Sequence, residues 1–149
     1  MVAGRVQNYD ATSIVGLDAV VLRTAPVLTC DHCGHLMFEG HVIDAITREL
    51  ATFIVRQGEE LRPTEVRFLR ELFMMTQAEL AERLGVTRAT VNRWEGGDDT
   101  VGTLQSFALR TLAAWNLNDA ELAREVGELR RQAVKPRSAP PYQLNGIAA

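Results

Sequence analysis

Apolar residues recur at spacings of three and four through most of the chain after residue 42, and this period is missing before it. In "VIDAITRELATFIVRQGEEL" the residues Ile43, Ile46, Leu50 and Phe53/Ile54 form one stripe, which predicts a helix that loosens at Gly58. Pro63 opens the next helix, where a missing N–H costs nothing, and Val66, Leu69 and Leu72/Phe73 face one way. In "MMTQAELAERLG", Thr76 is a natural N-cap and Glu79 completes a capping box. Leu80 and Leu84 form its buried side, and Gly85 ends it. "VTRATVNRWEGG" repeats the device: Thr87 caps, Val91 and Trp94 point inward, and Gly96–Gly97 stop the helix. Two more helices follow. The first buries Leu104, Phe107, Ala108, Leu112 and Trp115, and the second presents Leu122, Val126 and Leu129, with Asn118/Asp119 between them.

The first 41 residues read instead as short strands and turns. "AVVLR" and "PVLTC" are β-prone pieces, and "HLMF" is a possible third. The C-terminal "VKPRSAPPYQLNGIAA" is rich in proline and small residues and predicts poor order. These readings divide the chain into an N-terminal domain (1–60), a helical domain (61–133) and a disordered tail (134–149). The predicted class is α+β: a small β-rich domain with one helix, then an all-α domain of five helices.

Composition changes this picture little, and charge changes it more. The 149 residues, 46% hydrophobic and 23% charged, can bury a core. No apolar run is long enough to span a bilayer, and the start lacks a signal-peptide core, so a reducing cytoplasm is the expected location. Residues 1–61 hold four arginines against eight carboxylates, a net of −4 within a total of −3. The remainder is slightly basic and rich in arginine, which suits bidentate base and phosphate contacts.

The strongest functional signal is "TQAELAERLGVTRATVNRWEGG", residues 76 to 97. Two short capped helices joined at Gly85–Val86 make a helix-turn-helix, whose second helix enters the major groove by its N-terminal end. Its outward residues Arg88, Ala89, Thr90, Asn92 and Arg93 are the expected DNA contacts. Arginine can grip guanine O6 and N7, and Ala89 or Thr90 can pack on a thymine methyl. Gln77 and Thr87, at the two helix starts, are placed for phosphate. Trp94 reads as core, and Glu95 as a local salt-bridge or cap residue. The three histidines fall between residues 32 and 41, and no nucleophile elbow, phosphate loop or H-E-x-x-H is present, so an enzyme is not expected.

The spelling of this motif resembles the Xre-like helix-turn-helix of the lambda-repressor/Cro type over about residues 62 to 116. A wider pattern includes Tyr9, Gly16, Leu17, Val20, Leu22, Cys30, Cys33, Gly34 and "EVRFLREL" before the motif. It resembles the MqsA, or YgiT-type, antitoxin family. That resemblance implies a zinc-binding front domain, an Xre-like DNA-binding domain and an RNA-cleaving toxin as partner. The family holds zinc with two C-x-x-C pairs, whereas only Cys30 and Cys33 occur here. Four readings of this half site stand open: a remnant that binds nothing, a site completed by two of His32, His35 and His41, a site shared across a dimer, and a redox pair. No cofactor is required, and zinc is the metal the pair would take.

The expected function is a DNA-binding transcriptional repressor, the antitoxin of a toxin–antitoxin pair, acting as a homodimer on a palindromic operator. Leu122, Val126 and Leu129 are the expected two-fold interface. The rival is a solitary Xre-like regulator that senses metal or redox state through its front domain.

Overall fold

The computed structural model describes residues 1–129 and 142–147. It has the expected α+β class, with strands at the front and helices behind. The chain separates into two compact units. One comprises residues 1–50 with the C-terminal strand, and the other begins at Ala51. The division therefore falls inside a helix, ten residues before the expected boundary at 60/61.

In the first unit, β1 (Val2–Asp10) pairs antiparallel with β2 (Val20–Thr29), after the single turn α1 (Thr12–Val15). The two-residue β3 (Leu36–Met37) pairs with the end of β2. The pieces "AVVLR" and "PVLTC" are thus one strand that runs through Pro26. Proline cannot donate to a ladder. It is tolerated here because β4 pairs with β2 at residues 20–22 and β3 at 28–29, so among the described residues the backbone at Pro26 has no second neighbour strand. Alternate residues Val20, Leu22, Ala25 and Val27 are buried, with the phase shifting after Leu22. Tyr9 of β1 meets Phe38 edge-on, with ring centroids 5.2 Å apart.

The tail departs from expectation. Residues 142–147 are ordered: β4 (Tyr142–Leu144) pairs parallel with β2, Val20 opposite Tyr142 and Leu22 opposite Leu144. Tyr142, Leu144 and Ile147 are buried, which gives the segment the apolar area that its prolines conceal. Arg5 donates to the Ile147 carbonyl at 3.0 Å, and Arg23 donates to Gln143 at 2.8 Å. The rest of the expected tail, residues 134–141 and 148–149, lies outside the described residues.

Helix α2 (Gly40–Arg56) carries the boundary between the units. Ile46, Leu50 and Ile54 are buried as the spacing requires, but Val42 and not the half-buried Ile43 starts the stripe, and Phe53 is turned out. After the end of α2, the described residues of the second unit form α3 (Pro63–Leu72), α4 (Gln77–Leu84), α5 (Arg88–Gly96), α6 (Thr103–Asn116) and α7 (Ala120–Leu129). Val66, Leu69, Leu80, Val91, Trp94, Leu109, Ala113, Leu122 and Val126 make its core.

Two expectations about this core are corrected. Helix α6 buries Ser106, Leu109, Arg110, Ala113 and Ala114, while Leu104 and Trp115 are 68% and 69% exposed. The helix is apolar nearly all round, so periodicity alone offered two faces. The small alanines face inward, and Arg110 is accepted there because Ser106 Oγ and the Glu59 carbonyl receive its guanidinium. Leu122 and Val126 of α7 are fully buried inside the unit and cannot form an interface between chains.

Candidate nucleic-acid interface

The two motif helices are set by their ends. Thr76 Oγ1 accepts from the Glu79 N–H at 3.2 Å, and Glu79 accepts from the Thr76 N–H at 2.7 Å, closing the capping box. The Thr76 N–H and hydroxyl hold the Glu79 carboxyl below its usual value. Gly85, with φ +66°, ends α4 and lets the Val86 N–H reach the Ala81 carbonyl. Ala81, 3% exposed, and the fully buried Val91 line the inner side of this α4–α5 pair. Thr87 caps α5 by accepting from the Thr90 N–H at 3.2 Å, and Gly97, with φ +84°, closes it.

Anchored by Val91 and Trp94, α5 turns Arg88, Ala89, Asn92 and Arg93 to solvent. These four share the outward side of the helix, two of them cationic. Arg93 lies 3.9 Å from Asp99, with both side chains about half exposed, a contact that a phosphate or base can replace. Thr87 is exposed, but its hydroxyl lies 2.9 Å from that of Thr90, which is half-buried. The two threonines therefore serve the cap first.

Gln77 is placed differently from the expectation. Its side-chain Nε2 donates to Glu95 Oε2 at 2.9 Å and approaches Asn92 Oδ1 at 3.5 Å. One amide hydrogen is directed inward at Glu95, and the other faces the exposed Asn92 across a long contact. The amide is thus engaged first by Glu95, while the backbone N–H groups at the start of α4 remain suited to an anion.

Behind Gln77 lies a network that sequence reasoning did not assemble. Glu95, with a side chain only 2% exposed, receives a two-pronged contact from Arg70, Nε to Oε1 at 2.6 Å and Nη2 to Oε2 at 3.1 Å. Arg67 stands 3.8 Å away. Burial pushes the Glu95 pKa up, but the hydrogen bonds of Arg70 and Gln77 and the charges of Arg70 and Arg67 outweigh it and hold the carboxyl below its ordinary value. Glu95 raises the Arg70 pKa in turn. Arg70 also donates to the Met75 carbonyl at 3.0 Å, tying the α3–α4 turn to the end of α5.

The cysteine pair sits far from this chemistry in sequence, in the β2–β3 turn. The Cys30 N–H donates to the His35 carbonyl and the Gly34 N–H to the Cys30 carbonyl, both at 2.9 Å, with Gly34 at φ +71°. The backbone N–H groups of Cys33 and His32, and the Cys33 thiol, lower the Cys30 pKa. Cys30 is half-buried and Cys33 is exposed. Among the described residues no three of His, Cys, Asp and Glu stand together as a preformed metal position, His32, His35 and His41 included. One chain offers two soft ligands, short of the four that a structural zinc takes.

Residues 66–106 match the family model described as helix-turn-helix. No curated protein and no solved structure matches the chain. The matched span runs from α3 into α6 and includes both motif helices and the Glu95 network. It supports an Xre-like helix-turn-helix domain, the module of DNA-binding transcriptional regulators. Among the described residues no helix is long and apolar enough to cross a membrane.

Proposed function

We propose that the chain is a sequence-specific repressor that binds a palindromic operator as a homodimer, with α5 in the major groove. The observation that carries this reading is the outward face of α5. Arg88, Ala89, Asn92 and Arg93 are exposed together on a helix whose opposite side is fixed by Val91 and Trp94. One head spans only a few base pairs, so specific occupancy calls for two heads about one helical turn apart.

The second copy would dock on α6. Leu104, Ala108, Thr111 and Trp115, spaced four, three and four residues apart, run along its outer side, flanked by half-buried Phe107 and Leu112. The only charged residue of this helix, Arg110, points inward. An apolar face without charge meets its own copy across a two-fold axis with no like-charge repulsion. The exposed Trp115 and Leu104 supply aromatic and aliphatic anchors of the kind that dominate small interfaces.

The antitoxin role rests on other support. The resemblance to the MqsA family covers residues 9 to 97, and the front of the chain is acidic, which complements a basic RNA-cleaving partner. The test has two arms. A labelled fragment from upstream of the gene is titrated with the full chain, and specific retardation that resists excess competitor DNA supports the repressor. Co-expression with a small basic protein encoded beside the gene tests the partner. Absence of both a complex and growth rescue removes the antitoxin role and leaves the repressor.

A further inference from the structure

The direction of the Gln77 amide fixes more than its own role. An ionised carboxylate only accepts hydrogen bonds. Glu95 is held ionised by Arg70, which donates to both of its oxygens. Gln77 must therefore turn its nitrogen, not its oxygen, toward Glu95 at 2.9 Å. The second hydrogen on that nitrogen is directed at Asn92, 3.5 Å away, and the atom of Asn92 that faces it must be an acceptor, Oδ1. The last contact is long, so the lock is strongest at Glu95 and looser at Asn92.

Asn92 is exposed, one turn from Arg88 on the outward side of α5. With Oδ1 turned toward Gln77, its Nδ2 points away from the network, and one lone pair of Oδ1 stays available. A donor beside an acceptor is the pattern that matches adenine in the major groove, where N7 accepts and the N6 amino group donates. Without the lock, the asparagine amide can rotate by a half turn at little cost and present the reverse pattern.

We propose that Arg70 and Glu95, acting through Gln77, set the amide of Asn92 in the orientation that reads one adenine in each half-site. Asn92 is the reader, and Gln77 is a positioning residue. The proposal rests on the DNA-binding reading above and adds to it the identity of a base.

The test is selection of the full-length protein on a random-sequence duplex library, followed by titration on the selected duplex and its single-base variants. The wild type should enrich a two-fold motif with one A·T pair in each half that no other base replaces without a roughly tenfold loss. Asn92→Ala should lose the preference at that position and keep it elsewhere. Gln77→Met, which leaves the Arg70–Glu95 pair intact, should keep most of the affinity and relax the same position several-fold. A purely structural role for Gln77 would not single out one base pair. Two results overturn the relay while leaving DNA recognition standing. In one, Gln77→Met weakens all sequences equally. In the other, Asn92→Ala leaves every preference unchanged. If the folded wild type enriches no motif, the reading of sequence fails, and the relay fails with it.

Discussion

Replacing Arg70 by Met removes the guanidinium from Glu95 and leaves a flexible apolar side chain in its place. Glu95 then stays buried with its charge, because its own backbone position at the end of α5 does not change. Removing one partner of a buried pair costs about 3–5 kcal/mol. Gln77 still donates to Glu95 at 2.9 Å and Arg67, at 3.8 Å and mostly exposed, can move closer; both reduce the cost. The lost bond from Arg70 to the Met75 carbonyl adds about 1 kcal/mol. A net loss of about 3 kcal/mol is expected.

Urea unfolding, followed by the fluorescence of the buried Trp94, measures it. With a slope of about 2 kcal/mol per molar, the midpoint should fall by about 1.5 M. Arg70→Met with Glu95→Gln should regain part of the loss, since the second change removes the orphaned charge. A loss below about 1 kcal/mol would mean that the pair behaves like an exposed ion pair. The account of how α3 braces α5 would then be wrong.

Acid should act on the same network with a definite sign. The Glu95 pKa is lowered in the folded chain, so its stabilisation is present above the ordinary carboxylate range and is lost as pH falls through the folded value; below about pH 4 the wild type should lose stability that Glu95→Gln does not lose. Arg93→Ala should weaken operator binding by about 1–3 kcal/mol and relax preference at one base pair, read from titrations on single-base variants. Trp115→Glu places a charge on the outer face of α6; light scattering should show a shift from dimer to monomer, and an unchanged dimer would move the interface elsewhere. The purified protein should carry well under one zinc per chain by elemental analysis, and Cys30→Ser with Cys33→Ser should leave melting and DNA binding nearly unchanged. One zinc per two chains would instead establish a site shared between copies.

The parts of the fold that were legible are those whose physics is local. Thr76, Glu79, Gly85, Thr87 and Gly97 act on backbone groups within one turn of themselves, so the helix ends can be read by eye. Strand β1 was not legible. "VAGRVQNYD" is mostly exposed along its length and has no alternation to reveal it; its place is set by ladder bonds to β2. Strand β4 had the alternation, Tyr142 in, Gln143 out and Leu144 in, but over only three residues and behind a proline-rich stretch. Its partner lies about 120 residues earlier, a distance no local pattern encodes.

The candidate site divides along the same line. The outward residues of α5 follow from one helical wheel once Val91 and Trp94 are assigned to the core. The residues that orient them do not, because Arg70, Gln77 and Glu95 come from three helices and meet only after those helices pack. Glu95 read correctly as a salt-bridge residue, yet its partner could not be chosen among the arginines nearby. Gln77 has an inward partner that the sequence does not show, for a related reason. At the start of a helix its position suits a phosphate, and only the carboxylate behind it, invisible in the local sequence, draws one of its donors inward. In this motif, therefore, the caps of the helices can be read from the chain one turn at a time. The chemistry a base pair would meet depends on which way the Asn92 amide faces, and that depends on Glu95 of the same helix through Gln77 of another.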